Sequence, residues 1–277
     1  MPELPEVETM RRGILPVVGA RIVSVEKLRC PRKAIQFTPV GRAFQRRARG
    51  QLITAVDRIG KRVAVRLESD DAIILEPRMT GLVLLADPPD PLYLRVRFDL
   101  SGGNAEAFWY WDRRGLGNVR LLSPQEQAEA FGPNKLGPDA LAVSSGDLRR
   151  RLAASRRAVK VALLDQRAVA GIGNLYAAEI LHVAGIHPAA RCDRLTGPKW
   201  KRIADATREV LEEAIRHEGS TLGDGTYRNA LNQDGSYQNL HRVYGKGGDP
   251  CRRCGGEIKR IVQAQRSTFF CPGCQRR

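Results

Sequence analysis

The chain has 277 residues, 42% of them hydrophobic, and its 46 Lys and Arg against 30 Asp and Glu leave a formal net charge of +16. This length predicts about two domains. The lack of any run of about 18 apolar residues argues against a membrane span, and the acidic start argues against a secretory leader, so a cytoplasmic protein is expected. Folded proteins this basic typically bind a polyanion, with nucleic acid the first candidate, and a generally basic soluble protein is the alternative.

The first eight residues support two interpretations. Removal of Met1 leaves Pro2 with a secondary amine at the chain terminus. Because α-amino groups titrate near ~7.7–8.0, a useful fraction of that amine is nucleophilic at neutral pH, and its condensation with an aldehyde gives an iminium. Glu3 and Glu6 lie within one helical turn and are candidates for acid–base chemistry. The alternative is a plain helix start, with Pro5 in the first turn and the acidic side chains at the positive helix end.

After this first helix, whose apolar residues Val7, Met10 and Ile14 share one face, the hydrophobic pattern becomes that of β-strands. Short segments bounded by Gly, Pro and Asp favour a β-sandwich or flattened barrel with the first helix laid against it. The predicted strands are Ile22–Val25, Leu52–Val56, Val63–Leu67, Ala72–Leu75, Leu82–Leu85, Tyr93–Leu100, Phe108–Trp111 and Val119–Leu122.

Beyond these strands the pattern becomes helical. Residues 124–142 contain several Pro and Gly and are predicted to be a connector. Ser144 and Asp147 resemble a capping box that opens a helix. Further helices are predicted to begin at Asn174 and near Thr196.

The sharpest local signal is a pair of C-x-x-C motifs near the C-terminus. Cys251 and Cys254 are separated by sixteen residues from Cys271 and Cys274. This spacing predicts a zinc ribbon with four thiolate ligands. Since four cysteines leave no open coordination position, the expected zinc ion is structural rather than catalytic.

Two further features suggest contact with phosphate. Gly171 and Gly173 precede a helix, where exposed backbone N–H groups attract anions, and Asn174 is placed both to cap that helix and to bind a phosphate oxygen. The alternative is an ordinary turn with an Asn cap. Arg266 lies between the two cysteine pairs, where phosphate contact and a solvated charge are the competing interpretations.

Two lysines and two loop tips complete the candidates. Lys61 and Lys160 lie in apolar surroundings, where a lysine either extends to the surface or meets an anion. Met79 and Leu116 follow strands and are expected at exposed loop tips. Proteins that unstack DNA insert such apolar side chains between bases, whereas simple packing is the alternative for each residue alone.

Taken in chain order, these motifs resemble the formamidopyrimidine-DNA glycosylases, bacterial base-excision repair enzymes that act on oxidised purines. The matching segments are PELPEVE, Lys61, RMTG, DRRGLG, Lys160, GIGNLYAAEIL, AGIHP, QNLHRVYGKGGDPC and AQRSTFFCPGC. The resemblance implies a multidomain α+β fold: an N-terminal β-sandwich with an N-terminal helix, a helical helix–two-turn–helix domain, and a C-terminal four-cysteine zinc finger on a β-hairpin. The expected boundaries are 1–123 for the catalytic sandwich, 124–143 for a linker, 144–240 for the helix–two-turn–helix domain with a lesion-recognition loop, and 241–277 for the zinc finger.

The resemblance also implies catalytic roles. Pro2 would attack C1′ of the damaged nucleotide after base flipping, expel the base and form an iminium with the ring-opened sugar, and β- and δ-elimination would follow. Glu3 would protonate the sugar ring oxygen. Lys61 and Lys160 would be active-site ligands of phosphate and lesion, Lys61 as a catalytic residue and Lys160 as a residue that supports the site and binds DNA. Glu6 would support the site or contact the lesion.

Contacts to DNA are implied at other motifs. Asn174 and Arg266 match paired phosphate clamps. Met79, Arg114 and Leu116 match the trio that fills the vacated base stack, with Arg114 reading the orphaned base opposite. A mobile lesion-recognition loop is expected within residues 219–240. That long loop and the PELPEV start favour the branch specific for purine lesions over the branch specific for oxidised pyrimidines.

Three departures from the family pattern stand out. Glu76-Pro77 replaces a more common His-Leu and puts negative charge near an expected phosphate path. Leu116 replaces a common Phe and is a shorter wedge. Tyr93, with the preceding Leu, aligns with a common Lys-His pair. None of these positions is Pro2 or Glu3, so the chemistry is expected to survive.

The sequence thus predicts a bifunctional glycosylase and lyase that binds damaged double-stranded DNA as a monomer, in the bacterial cytoplasm in association with the nucleoid. It is expected to hold one structural zinc ion, to use no redox or nucleotide cofactor, and to have no contact with membranes. A non-catalytic lesion-binding paralogue of the same fold is one alternative. An RNA-binding zinc-ribbon protein is another, although it leaves the N-terminus unexplained.

Overall fold

A computed structural model describes residues 2–223 and 225–276, so the expected removal of Met1 lies outside the described residues. The chain divides into two compact units. The first unit comprises residues 1–132 and 217–238, and the second comprises residues 133–216 and 239–277. The segment 217–238 packs within the first unit. The bounds of the four predicted regions, 1–123, 124–143, 144–240 and 241–277, stay predictions.

The first unit is a sandwich of two sheets that enclose one apolar core. One sheet has the strand order β1-β7-β8-β6 and the other β2-β9-β5-β4-β3. Neighbouring strands are antiparallel except β2 and β9. The bounds are β1 Arg21–Lys27, β2 Gln36–Thr38, β3 Ile53–Ile59, β4 Arg62–Leu67, β5 Ala72–Glu76, β6 Gly81–Leu84, β7 Leu94–Ser101, β8 Ala107–Asp112 and β9 Asn118–Leu122.

All eight predicted strands are present, because each alternates or concentrates apolar side chains on a buried face. The first helix, α1 (Leu4–Gly13), buries Val7 and Met10, and Ile14 just beyond it is also buried. It packs on β3, β4 and β6. The prediction of a helix laid against a sandwich is confirmed.

Apart from short 3-10 turns, three elements in the described part of this unit were not predicted: β2, α2 (Arg42–Ala48) and α3 (Pro124–Phe131). The third corrects the prediction that residues 124–142 are a plain connector. Ser123 and Glu126 form a capping box there, with Pro124 in the first turn. This start signal was present in the sequence, and its eight-residue helix buries no side chain completely, which explains the missing apolar periodicity.

The second unit contains the helices α4 (Ser145–Leu152), α5 (Val159–Leu163), α6 (Asn174–Val183) and α7 (Gly197–Arg216). Its hairpin pairs β10 (Lys259–Gln263) with β11 (Arg266–Phe270). The predicted capping box of Ser144 and Asp147 is present. Within the described ranges, no helix is both long and apolar enough to cross a membrane.

Candidate active site and nucleic-acid interface

The N-terminus of α1 holds Pro2, Glu3 and Glu6 together. All three are buried, with Glu3 4% and Glu6 3% exposed. The Glu3 backbone N–H donates to Glu6 Oε2 at 2.8 Å, within a capping box. The carboxylate therefore fixes the backbone next to Pro2, and it lies at the helix end where negative charge is favourable.

Glu6 also anchors the segment predicted to be the lesion-recognition loop. Its Oε1 accepts the backbone N–H of Ser220 at 2.9 Å. The preceding Gly219 has φ +77°, and a Cβ there would lie 2.8 Å from Glu6 Oε1, so only glycine fits beside this carboxylate. Burial, followed by the nearby charge of Glu6, raises the pKa of Tyr227 well above its ordinary value. Glu6 thus joins the candidate catalytic end to residues 217–238.

Lys61 lies in the turn between β3 and β4. Arg58 donates from Nη1 to the Gly60 carbonyl at 3.0 Å, and its Nε donates to Glu8 Oε2 at 3.1 Å. Glu8 is buried in α1 and also binds Arg11 and Arg12. Helix α1 therefore positions the Lys61 turn through Glu8 and Arg58, two residues that sequence reasoning missed.

The loops that carry Met79 and Arg114 are tied together by one buried carboxylate. Asp112 Oδ1 accepts from Thr80 Oγ1 at 2.5 Å and from the Arg114 backbone N–H at 3.1 Å. Its Oδ2 accepts the Gly117 N–H at 2.8 Å. Sequence reasoning missed Asp112 and Thr80, although both lie inside the quoted motifs.

These tied loops hold the three residues that are predicted to fill the vacated base stack. Met79 is 38% exposed, Arg114 is exposed and Leu116 is half-buried. A Cβ at Gly117 would lie 1.7 Å from Tyr110 Oη, so the loop passes too close to the sheet for any other residue. The exposed apolar Met79 lies on a rigid support, as an inserting side chain requires.

Glu76 does not carry an unbalanced charge. Arg62 Nη2 lies 3.2 Å and Arg78 Nε 3.0 Å from Glu76 Oε1. Asn118 Nδ2 donates to Oε2 at 3.1 Å. The expected negative charge is therefore locally compensated by two arginines.

In the second unit, Lys160 joins Asn174 to the zinc-finger hairpin. Lys160 has no exposed surface, and its Nζ donates to Asn174 Oδ1 at 2.5 Å and to Thr268 Oγ1 at 2.8 Å. Asn174 Nδ2 donates to the Ser267 carbonyl at 3.1 Å. Arg266, next along β11, is exposed. The two predicted phosphate ligands therefore lie on elements joined by this lysine.

The cap of α6 differs from expectation. Gly173, not Asn174, is the N-cap, and Asn174 is the first helical residue. Because the Asn174 amide is engaged by Lys160 and Ser267, it does not cap the helix. The predicted start of the helix at Asn174 is confirmed.

The four cysteines of the C-terminal motifs converge. Their Sγ atoms all lie within 4.8 Å of one another, with Cys251 to Cys274 at 3.9 Å and Cys254 to Cys271 at 3.3 Å. Tetrahedral zinc with Zn–S near 2.3 Å requires sulfurs about 3.8 Å apart, so the cluster fits this ion. A Cβ at Gly273 would lie 3.2 Å from Cys254 Sγ, which explains the glycine in the second C-x-x-C turn.

A buried carboxylate on α6 braces the start of the zinc-finger region. Glu179, with no exposed surface, accepts the backbone N–H groups of Arg242, Val243 and Tyr244 at 2.8–2.9 Å. Burial raises the pKa of Glu179, and these three N–H groups oppose that rise. Sequence reasoning missed this residue, although a Glu within an apolar helix face was a visible signal.

Three family models match this chain, one each in its N-terminal, helical and cysteine-rich regions. Residues 1–119 match the formamidopyrimidine-DNA glycosylase N-terminal domain, residues 136–225 match the formamidopyrimidine-DNA glycosylase H2TH domain, and residues 248–277 match the zinc finger found in FPG and IleRS. The formamidopyrimidine-DNA glycosylase of Streptococcus mutans is 40% identical over 282 residues and that of Bacillus subtilis is 37% identical over 279 residues, each alignment covering at least 99% of both chains.

The chain belongs to the formamidopyrimidine-DNA glycosylase family. This confirms the predicted fold class and the predicted enzyme class, a DNA glycosylase of base-excision repair. A Lactococcus lactis enzyme mutant in complex with DNA containing Fapy-dG is 34% identical with a TM-score of 0.87, and the match covers 100% of both chains. The Thermus thermophilus enzyme is 35% identical with a TM-score of 0.85, over 99% of this chain and 98% of that chain.

Membership of this family also supports the structural zinc. The matched zinc-finger region contains all four converging cysteines. When bound, the ion would hold the two C-x-x-C turns together. The two turns flank the hairpin of β10 and β11 in the chain, so the site would fix the position of that hairpin.

Proposed function

We propose that this glycosylase excises oxidised purines, 8-oxoguanine and formamidopyrimidines, from duplex DNA and then cleaves the abasic site by β,δ-elimination. The observation that carries the proposal is the buried start of α1, where Glu6 fixes the Glu3 backbone beside Pro2. A neutral amine, an acid and an orienting group then lie within one helical turn. This is the arrangement that iminium chemistry requires.

The proposed reaction starts at the Pro2 nitrogen, once Met1 has been removed. The amine attacks C1′ of the flipped nucleotide, the C1′–N bond to the base breaks, and the base leaves with a proton. Glu3 protonates the sugar ring oxygen, the ring opens, and C1′ and nitrogen share a cationic double bond. Loss of a C2′ proton expels the 3′ phosphate, a second elimination expels the 5′ phosphate, and hydrolysis frees Pro2.

The other residues position this chemistry and bind DNA. Lys61 is proposed to contact the active-site phosphate from a turn held by Arg58 and Glu8. Asn174 and Arg266 are proposed to clamp phosphates. Lys160 is completely buried and engaged with Asn174, which supports a role in orienting that amide rather than direct contact with the lesion.

Base recognition is proposed for the tied loops. Met79 and Leu116 would enter the gap left by the flipped nucleotide, and Arg114 would read the orphaned base opposite. Since Asp112 holds both loops, the three side chains would enter the DNA together. Damaged double-stranded DNA is the proposed partner, bound by a monomer of the chain.

Glu76 and Tyr93 are the two departures from the family pattern that would favour a non-catalytic paralogue. Compensation of Glu76 by Arg62 and Arg78 removes one of these reasons. The catalytic proposal is therefore preferred.

Borohydride trapping tests the proposal. The chain is incubated with a duplex carrying 8-oxoguanine opposite dC, sodium borohydride is added, and the cross-linked peptide is mapped by mass spectrometry. An adduct on an N-terminal Pro2 peptide is expected, and a chain with a chemically blocked N-terminus should bind the same duplex without forming it. Failure to trap 8-oxoguanine, formamidopyrimidine and abasic duplexes alike, with binding intact, would favour the non-catalytic paralogue.

A further inference from the structure

A basic cleft lies in the first unit beside the loop that carries Arg114. Its volume is about 350 Å³, and it is lined by Arg32, Lys33, Tyr93, Arg113 and Arg114. Four of these five side chains are cationic, and all four cations are exposed. Sequence reasoning assigned a role to Arg114 alone of these four, although Arg113 lies in the same DRRGLG motif.

These cations lack the acidic partners that some other exposed arginines of the same unit have. Arg21 pairs with Glu68 at 2.8 Å and Arg97 with Asp99 at 2.6 Å. By contrast, within residues 2–223 and 225–276 the side chains of the four cleft cations make neither an ion pair nor a hydrogen bond. Neighbouring like charges without counterions repel one another, so this cleft is suited to a bound anion.

The cleft is preformed rather than assembled from loose loops. Buried Arg95 bridges its two walls, donating from Nε to the Asp112 carbonyl at 2.7 Å and from Nη1 to the Lys33 carbonyl at 3.0 Å. Gly115 has φ +64°, and a Cβ there would lie 1.9 Å from the same Lys33 carbonyl. The loops therefore meet without space for adjustment.

Tyr93 is the one uncharged residue among the described residues that line the cleft, and its position is consistent with a bound anion. Tyr93 packs edge-on against Trp111, with ring centroids 5.8 Å apart. Tyr93 offers a hydroxyl but no charge at a position where a Lys-His pair is common. The positive charge of the cleft instead comes from Arg32, Lys33 and Arg113 on the neighbouring loops.

We infer that Arg32, Lys33 and Arg113 bind backbone phosphates of the undamaged strand, the strand that carries the orphaned base. This inference rests on the proposed function. Arg113 immediately precedes Arg114 in the same loop, and Arg114 is proposed to read the orphaned base. A phosphate within reach of the same cleft then belongs to the strand that Arg114 reads. Charge without base-specific hydrogen bonding would set register and affinity rather than sequence preference.

The test compares two triple variants with the same change in charge. R32A/K33A/R113A removes three of the four cleft cations. R42A/R46A/R49A removes three exposed arginines of α2 and its C-terminal end, which also lack an acidic partner within the described part of the chain. Binding of the full-length chain to a duplex with a tetrahydrofuran abasic analogue opposite dC is measured by fluorescence anisotropy over a series of salt concentrations. Thermal unfolding checks that both variants are folded.

The cleft variant is expected to bind about tenfold or more weakly near physiological salt, with the slope of log affinity against log salt reduced by about 2, since each lost phosphate contact reduces that slope by about 0.9. The α2 variant should stay within about threefold of the unmodified chain, because general charge effects are largely screened beyond about 8 Å at that salt. Equal losses in the two variants would overturn the inference.

A second measurement tests which DNA strand the cleft binds. Single methylphosphonates, which remove one phosphate charge, are placed in turn along each strand near the lesion. One or two positions on the undamaged strand should weaken binding of the unmodified chain and have no further effect on R32A/K33A/R113A. If only damaged-strand positions behave in this way, the inference is wrong while the proposed function stands. If the unmodified chain neither prefers the lesion duplex nor forms the borohydride adduct, both are wrong.

Discussion

In the first unit, buried carboxylates hold the candidate catalytic and base-reading residues. Glu6 fixes the start of α1, Glu8 acts through Arg58 on the Lys61 turn, and Asp112 ties the two wedge loops. In the second unit the buried carboxylate of Glu179 braces residues 242–244, but the predicted phosphate ligand Asn174 is oriented by a buried lysine, and a cysteine cluster shapes the hairpin. The difference follows from the groups that need support: backbone N–H groups and arginines need acceptors, whereas the Asn174 carbonyl oxygen needs a donor.

The largest expected effect is loss of the metal. Removing zinc with a chelator, or the C271A change, should unfold the hairpin, because structural zinc contributes roughly 10 kcal/mol or more in isolated zinc fingers. DNA binding should fall with it, since Arg266 lies on β11. Metal content, anisotropy and limited proteolysis are measured together.

The first unit serves as the internal control for that experiment. Its sandwich contains none of the four cysteines, so proteolysis should spare it. Undiminished DNA affinity after verified metal loss would contradict the proposed role of the hairpin.

A smaller but still large effect is expected for E179A. The change leaves three backbone N–H groups without their acceptor, that of the buried Val243 and those of the half-buried Arg242 and Tyr244. Each unsatisfied group costs about 1–3 kcal/mol where it is shielded from water. The free energy of unfolding from urea denaturation should fall by at least about 3 kcal/mol. E212A, an exposed glutamate on α7, is the control and should change it by less than about 0.5 kcal/mol.

Next comes the role of Lys160. K160M removes the donor to Asn174 Oδ1 and Thr268 Oγ1, so Asn174 loses its fixed orientation. We expect DNA affinity to fall about tenfold, equivalent to about 1.4 kcal/mol. The single-turnover rate at saturating enzyme should change far less.

The comparison variant for Lys160 is T268V. It removes one of the lysine's acceptors and leaves the Asn174 contact, so its effect on affinity should be smaller. A drop in the saturating rate with unchanged affinity in K160M would instead place Lys160 at the lesion.

The smallest effect concerns pH and Glu8. Burial raises the pKa of Glu8, but hydrogen bonds from Arg11 and Arg12 and the charge of Arg58 outweigh burial, and the pKa lies below its ordinary 4.5. A carboxyl with a lowered pKa stabilises the folded state above its unfolded pKa, and this stability is lost as pH falls through the folded pKa. E8Q should therefore cost about 1 kcal/mol at neutral pH.

That cost should shrink as the pH falls below 4.5, because Glu8 then becomes protonated in the unmodified chain as well. Urea denaturation at several pH values measures it. E26Q, an exposed acid on β1, provides the control. A cost that is independent of pH would show that Glu8 acts through packing rather than charge.

Local sequence patterns were sufficient to predict most helices and strands and the convergence of the four cysteines. Period-two and period-3.6 apolar spacing predicted the strands and helices, and the cysteine spacing predicted the cluster, because these signals depend on neighbours within a few residues. The helix α3 was missed although its capping box is equally local, since a helix that lies on the surface lacks apolar periodicity.

Short contiguous motifs predicted the family and the architecture, and they pointed to Pro2 as the candidate nucleophile, because each of these signals lies within a few neighbouring residues. The contacts that hold these motifs in place could not be read from the motifs, because they join residues that are distant in the chain. The pairs Glu6 with Ser220, Lys160 with Thr268 and Arg95 with Lys33 are separated by 214, 108 and 62 positions. No local rule relates residues so far apart, since a buried polar group takes whichever partner the packed chain brings within hydrogen-bond distance.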